Sequence, residues 1–196
     1  QRQMCIRDRD TFNMEDMRNC YYIGGWDLSQ QIDLTSACML FKKESSNKIY
    51  VKSMYFIPED RLAEYEARDN KPYTAWYNQG LIRLTKGKNI NSNDILEWYI
   101  EMQEKYGVFP FKYGYDTWGS AQLTEALQMQ YGKDICEEVR QGKKTLSIPM
   151  QRIKNDIEDK LINYNNNPIT IWNLACVEAD TDINGNIQPA KNRNKN

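Results

Sequence analysis

The residues of this chain that could carry chemistry are its carboxylates. Histidine is absent, and the cysteines Cys5, Cys20, Cys38, Cys136 and Cys176 are scattered without a Cys-x-x-Cys pair. That removes most zinc chemistry and every Cys-His or Ser-His arrangement. Hard divalent cations take oxygen ligands, and a sheet can hold strand-borne acids rigidly at one point. Asp27 and Asp116 meet that demand. Asp27 ends a strand that opens at Tyr21, just after Gly24 and Gly25, two glycines expected to let the backbone turn tightly, and Asp116 ends the aromatic run 111–115. If their strands are neighbours in a mixed sheet, the two acids can share a magnesium or manganese ion. Position alone also suits a turn former or helix cap, and Asp33, in a polar turn before Leu34-Thr35, suits that role best.

The elements that must position these acids follow from the apolar pattern. Residues 21–23 and 37–41 read as two strands joined by a turn, and 48–56 as a third whose alternation suits a half-buried antiparallel neighbour. Helices are expected over 58–68, with Pro58 in the first turn and Leu62 and Tyr65 on one face, and over 73–79. A short extended piece, 81–85, leads to a helix capped by Asn91 or Ser92 and running to Tyr106, with Ile95, Trp98, Tyr99 and Met102 as its apolar stripe. Asp116 then stands between strand 111–115 and helix 120–131, whose inward residues are expected to be Leu123, Leu127 and Gln130. A strand near 134–139, a helix from Ser147 or Pro149 to about 163, and a helix after Pro168 follow. A turn at Asn184-Gly185 comes next, and the Lys- and Asn-rich stretch 189–196 is expected to fray. Strands first, then alternating strand and helix, give an α/β fold: a mixed sheet, opening antiparallel meander plus parallel strands, flanked by helices.

Composition sets the bounds. The 196 residues suit one domain, and a net charge of -1 from 26 basic and 27 acidic side chains leaves no global field for nucleic acid, so any DNA contact is local. No apolar run approaches the ~20 residues that span a bilayer, and the amino terminus lacks a signal-peptide centre, which reads as a soluble, reduced, cytosolic chain. Trp26, Trp76, Trp98, Trp118 and Trp172 sit in apolar stretches and are expected in the core rather than as base-stacking platforms.

Two partial motifs fail on their missing members. The run from Asp180 to Gly185 has the first half of a calcium loop, but its twelfth position is Lys191, a cation where a bidentate carboxylate is needed. Gly142-Lys143-Lys144-Thr145 ends like a phosphate loop, yet Glu137 stands where that loop needs its first glycine, so no ATP site is expected. Basic residues that could meet phosphate are Lys86, Lys88, Lys143, Lys144, Arg152, Lys154, Lys191, Arg193 and Lys195. The Lys143-Lys144 loop is the leading candidate, lying between the helix after Asp116 and the helix of Met150.

The run Tyr22-Ile23-Gly24-Gly25-Trp26-Asp27-Leu28-Ser29, followed by Asp33-Leu34-Thr35, resembles the opening of the ribonuclease-H-like nuclease domain of tailed-phage large terminase subunits. Pro72-Tyr73 with Trp76 and Gly80, Leu84-Thr85-Lys86-Gly87, and Tyr115-Asp116-Thr117-Trp118 with Ala121-Gln122-Leu123 resemble later motifs of that family. So do Gln141-Gly142 through Leu146-Ser147 to Met150, and Asn167-Pro168 with Trp172, all in the family's order from Tyr21 to Lys191.

The resemblance implies a two-metal endonuclease, using magnesium or manganese, that cuts concatemeric viral DNA during genome packaging. Asp27 and Asp116 match metal-binding positions, Asp33 matches an auxiliary acid, and the Lys143-Lys144 loop lies where the family has a loop near its active site. The family's last metal-binding aspartate, in an Asp-Gly pair after a basic stretch, has no counterpart in these residues, so impaired cleavage is expected. Implied partners are double-stranded viral DNA, the portal protein, the small terminase subunit and an N-terminal ATPase domain of the native chain, in the cytoplasm of an infected bacterium and without a membrane. Residues 1–9 resemble a non-native, adapter-derived segment; 10–19 read as a linker remnant, 20–188 as the nuclease domain and 189–196 as a truncated basic tail. Two alternatives stand beside this reading: another ribonuclease-H-like core, of the resolvase or transposase kind, and a non-catalytic module that docks on DNA or the portal.

Overall fold

In the computed structural model, residues 10–28 and 34–191 are described. Strands β1 (Tyr21–Asp27), β2 (Thr35–Lys42) and β3 (Ile49–Pro58) form the expected antiparallel meander. Helices α1 (Leu62–Asp69) and α2 (Tyr73–Asn78) lead to β4 (Ile82–Thr85), parallel to β3. Helix α3 (Ser92–Tyr106) has Asn91 as its cap, the side chain accepting from the Asn93 N–H at 3.0 Å, and ends at Gly107 in the left-handed conformation. Then come β5 (Phe109–Tyr115), α4 (Ala121–Tyr131), β6 (Cys136–Glu138), α5 (Lys143–Glu158), β7 (Ile162–Asn163), α6 (Pro168–Cys176), β8 (Val177–Thr181) and β9 (Ile187–Lys191). The main sheet has the order β4-β3-β2-β1-β5-β6, with β7 on β3, and β8 and β9 form a separate hairpin. β5 runs parallel to β1, and β6 parallel to β5, so the α/β mixed sheet flanked by helices is the one expected.

The sheet is packed on both faces at β3 because successive side chains alternate. Met54 and Phe56 join the main core, where Tyr22, Trp26, Met39, Phe41 and Tyr113 meet Ile95, Trp98, Tyr99 and Met102 of α3 and Leu123 and Leu127 of α4. Tyr55 and Ile57 turn to the other face, against Tyr65, Tyr73, Trp76 and Ile169 of α1, α2 and α6. That second layer does not extend over β1, where Tyr21 and Ile23 are exposed. No helix among the described residues is long and apolar enough to cross a membrane.

The structure departs from the pattern reading in several places. Gly24 and Gly25 lie inside β1 rather than in a turn. Helix α5 begins at Lys143, not at Ser147 or Pro149: Gly142, at φ 130, breaks the chain, and its carbonyl accepts from the N–H groups of Thr145 and Leu146. Pro149 therefore sits inside a helix, tolerated because Thr145, whose carbonyl it leaves unbonded, faces solvent with it. The helix ends at Glu158, and Ile162–Asn163 pair with β3 instead of prolonging it. Gln130 is exposed, and Thr124 takes the inward place beside Leu123 and Leu127. Residues Pro189 to Lys191, expected to fray, belong to β9, and the short 3-10 helix Met14–Met17 buries both methionines in the main core.

Candidate metal centre

β1 and β5 bring the two aspartates together. Their ladder runs Gly24 to Tyr113, Gly25 to Gly114 and Trp26 to Tyr115, so Asp27 and Asp116 follow one step later on adjacent strands about 4.8 Å apart. Gly24 makes room for a ring of β5 on the core face of this ladder. A Cβ on Gly24 would lie 2.3 Å from Cδ1 of Tyr113, and one on Gly25 3.2 Å from the Gly114 carbonyl oxygen. The Tyr113 ring packs over Gly24 and its hydroxyl bonds that of Tyr22 at 2.6 Å, and Tyr99 of α3 places its hydroxyl 2.8 Å from the Gly25 carbonyl. Burial pushes the hydroxyls of Tyr22, Tyr99 and Tyr113 well above the ordinary tyrosine range, so this support stays neutral.

Beyond the ladder, one hydroxyl anchors the second acid. The indole N–H of Trp26 donates to Ser120 Oγ at 3.0 Å, and Ser120 Oγ–H donates to the Asp116 carbonyl at 2.5 Å. Ser120 precedes α4 in the position of a cap, yet its side chain makes no cap bond because it is committed to Asp116. Trp26 also stacks on Tyr115, with centroids 5.5 Å apart and planes at 11°. The backbone of Asp116 is thus tied to the end of β1. Asp27 is exposed and Asp116 half-buried, so both carboxylates are accessible.

A cleft of about 390 Å³ opens at the same end of the sheet, lined among others by Leu28, Arg61, Lys88, Asn89, Gly119 and Gln122. Arg61 is braced by Glu64, at 2.9 Å from Nε, and lies over the Tyr65 ring at 5.4 Å. Lys88 is exposed. β6 pairs with β5 through Tyr115 and Glu138, so the segment after Glu138 leaves the sheet at the edge that carries Asp116. That segment leads to Lys143 and Lys144, which lie in the first turn of α5 rather than in a loop; Lys143 Nζ is 3.0 Å from Asp180 Oδ2 of β8.

Asp33, Arg193 and Lys195 lie outside the described residues. Among the described residues, no group of three or more aspartate, glutamate, histidine or cysteine side chains comes together. The donor set at the strand ends is two carboxylates, chemistry that fits a hard divalent cation but supplies only part of its shell. The segment that resembles a calcium loop is a hairpin turn: Asp182 Oδ1 accepts from the N–H groups of Asn184 and Asn186, both at 2.9 Å. Pattern reading missed Trp118, which is 79% exposed rather than in the core, and Ser120. The signal for Trp118 was its setting between Thr117 and Gly119, past the last ladder residue, where no sheet face remains to cover it.

The comparisons agree with this architecture. The large terminase of bacteriophage HK97 is similar in fold, with a TM-score of 0.78 at 18% identity, covering 95% of this chain and 37% of that one. The g2p large terminase nuclease domain of bacteriophage SPP1, solved with bound Mn, gives a TM-score of 0.51 at 11% identity over 96% of this chain and 86% of that one. The large terminase nuclease of thermophilic phage G20c, solved with bound magnesium, gives 0.52 at 13% identity over 94% and 76%. At these identities the likeness carries the ribonuclease-H-like fold alone, and the chain spans 37% of the length of the HK97 protein. No curated protein sequence matches it. The family model for the terminase large subunit, endonuclease domain, matches residues 4–196, and the chain belongs to that family.

Proposed function

We propose that this chain is the DNA-cutting part of a phage packaging terminase, a divalent-cation-dependent endonuclease acting on concatemeric viral duplex DNA in the host cytoplasm. The observation that carries the reading is the pair Asp27 and Asp116 at the ends of adjacent parallel strands, within a chain of the terminase endonuclease family. Magnesium or manganese supplies Lewis-acid stabilisation of the charge that develops on the phosphate during hydrolysis. The chain supplies the rest. Asp27 and Asp116 offer hard oxygen donors, with Asp33 as an auxiliary acid. Ser120 and Trp26 fix the backbone of Asp116. Arg61 and Lys88 in the cleft, and Lys143 and Lys144 beyond β6, offer charge to the DNA backbone, contacts that position rather than specify. The portal, the small subunit and an ATPase domain are the partners we assign to the whole terminase.

Two carboxylates supply only part of a divalent cation's shell, so nicking is expected to depend on added manganese. Plasmid nicking in manganese tests the site. Asp27→Ala and Asp116→Ala should each abolish nicking and manganese binding by calorimetry. Nicking that survives Asp27→Ala at the wild-type rate refutes the assignment, and DNA binding without any manganese binding points instead to a docking module.

A further inference from the structure

Trp118 is a large apolar side chain left 79% exposed, while Trp26, Trp76 and Trp98 are buried. It stands two residues past Asp116, on a turn held at both ends: its own N–H reaches Asp116 Oδ1 at 3.5 Å, and Ser120 Oγ bonds the Asp116 carbonyl at 2.5 Å. The next residue, Gly119, at φ 70, lines the cleft that also holds Arg61 and Lys88. An exposed indole on the turn that follows a strand-end carboxylate, next to a residue that lines a cleft holding Arg61 and Lys88, has the surroundings of a nucleic-acid contact: phosphate-binding charge nearby and a free aromatic face. A paired base offers no free face to such a ring, whereas a base out of its stack does, and leaving the stack costs least where pairing is already lost.

We propose that Trp118 stacks on a base displaced from the duplex beside the scissile phosphate, so that this domain favours DNA carrying unpaired bases at the cut. The inference rests on the endonuclease reading and adds to it a contact residue and a substrate preference. Stacking of this kind is worth about tenfold in affinity per base.

The test uses the full chain without divalent metal, a perfectly paired duplex, and the same duplex with a short central mismatch. Acrylamide quenching of tryptophan fluorescence should fall when the mismatched duplex binds wild type, and the protected component should be missing in Trp118→Ala. Trp118→Ala should bind the mismatched duplex about tenfold more weakly, Trp118→Phe should keep most of the affinity, and the paired duplex should change less. In manganese, the faster nicking of mismatched over paired DNA should vanish in Trp118→Ala. Equal affinity of wild type and Trp118→Ala for the mismatched duplex overturns the proposal, even where Asp27→Ala has abolished nicking and upheld the nuclease reading. Protection of Trp118 by raising the protein concentration without DNA also overturns it, in favour of a contact between copies of the chain. Failure of wild type to bind either duplex overturns both readings.

Discussion

Replacing Ser120 by alanine should show how far one hydroxyl holds the metal site together. In the native fold, Ser120 Oγ accepts from the Trp26 indole at 3.0 Å and donates to the Asp116 carbonyl at 2.5 Å. Its removal strands the indole N–H, which lies in the main core, and an unsatisfied buried donor costs about 1–3 kcal/mol. Asp116 is half-buried, so water can serve its carbonyl and that loss adds little. The expected destabilisation is therefore about 2 kcal/mol, read from urea unfolding followed by far-ultraviolet circular dichroism. A double-mutant cycle isolates the cause. Trp26→Phe removes the stranded donor, so the double variant should be less destabilised than the sum of the singles by about 1 kcal/mol. Manganese affinity should also fall, by about tenfold, the usual cost of losing a group that orients a ligand. Ser120→Ala with stability within about 0.5 kcal/mol of wild type, or a cycle with no coupling, would refute the relay as the anchor of Asp116.

Two further substitutions test the packing under the site and the layer beside it. Gly24→Ala sets a methyl group 2.3 Å from Cδ1 of Tyr113, a buried ring that Tyr22 holds in place; overpacking there should cost about 3 kcal/mol and lower Tm by roughly 10 °C, and a fall under about 2 °C would mean the strands can part at little cost. Asp69 is held below the ordinary carboxylate range: burial opposes its ionisation, but Arg68 at 2.6 Å and the Tyr73 hydroxyl at 2.5 Å outweigh that. A lowered folded-state value means stability that is present above the unfolded value of about 3.9 and lost as pH falls through the folded one, so Asp69→Asn should flatten the acid limb of the stability profile below about pH 4 and leave its shape above pH 5 unchanged.

The parts of this fold legible in the sequence are those where one periodicity rules. Ile95, Trp98, Tyr99 and Met102 form a stripe at helical spacing, and all four are buried as α3 requires. The meander β1 to β3 was readable because the apolar blocks 21–23 and 37–41 and the alternating stretch 48–56 are separated by polar segments. Gly24 and Gly25 misled for a physical reason: glycine marks a turn locally, but in β1 Gly24 makes room for a ring on β5, a neighbour 89 positions along that no local pattern contains, and Gly25 faces the Gly114 carbonyl. Pro149 misled similarly, since the cost of a proline inside a helix is reduced where, as at Thr145, water can serve the carbonyl it deprives. Trp118 went wrong because a tryptophan next to an aromatic strand was counted with that strand, although the strand's last ladder residue is Tyr115. The acids at 27 and 116 could be picked out by position, but their adjacency depends on β5 pairing with β1, which is a property of the sheet order.

That order explains why the acids lie where they do. β1 is the strand at which the sheet changes character, with antiparallel β2 on one side and parallel β5 on the other. After Asp27 the chain continues toward β2; after Asp116 it crosses through α4, on the main-core face, to reach β6. β1 and β5 are followed in sequence by strands on opposite sides of the pair, β2 and β6, and such a reversal of strand order leaves a crevice outside the carboxyl edge, the usual ligand position in open α/β sheets. Leu28, just past Asp27, and Gly119, just past Asp116, both line the cleft found there. The crevice is thus made by topology, by the packing over Gly24 and by the Ser120 relay, and the contact from Trp118 N–H to Asp116 Oδ1, at 3.5 Å, is at the limit of a hydrogen bond. Asp27 is exposed and Asp116 half-buried, and neither belongs to the packed clusters. Their alanine variants should therefore keep the fold while losing the charge, which is why nicking by Asp27→Ala and Asp116→Ala reports on chemistry rather than on stability.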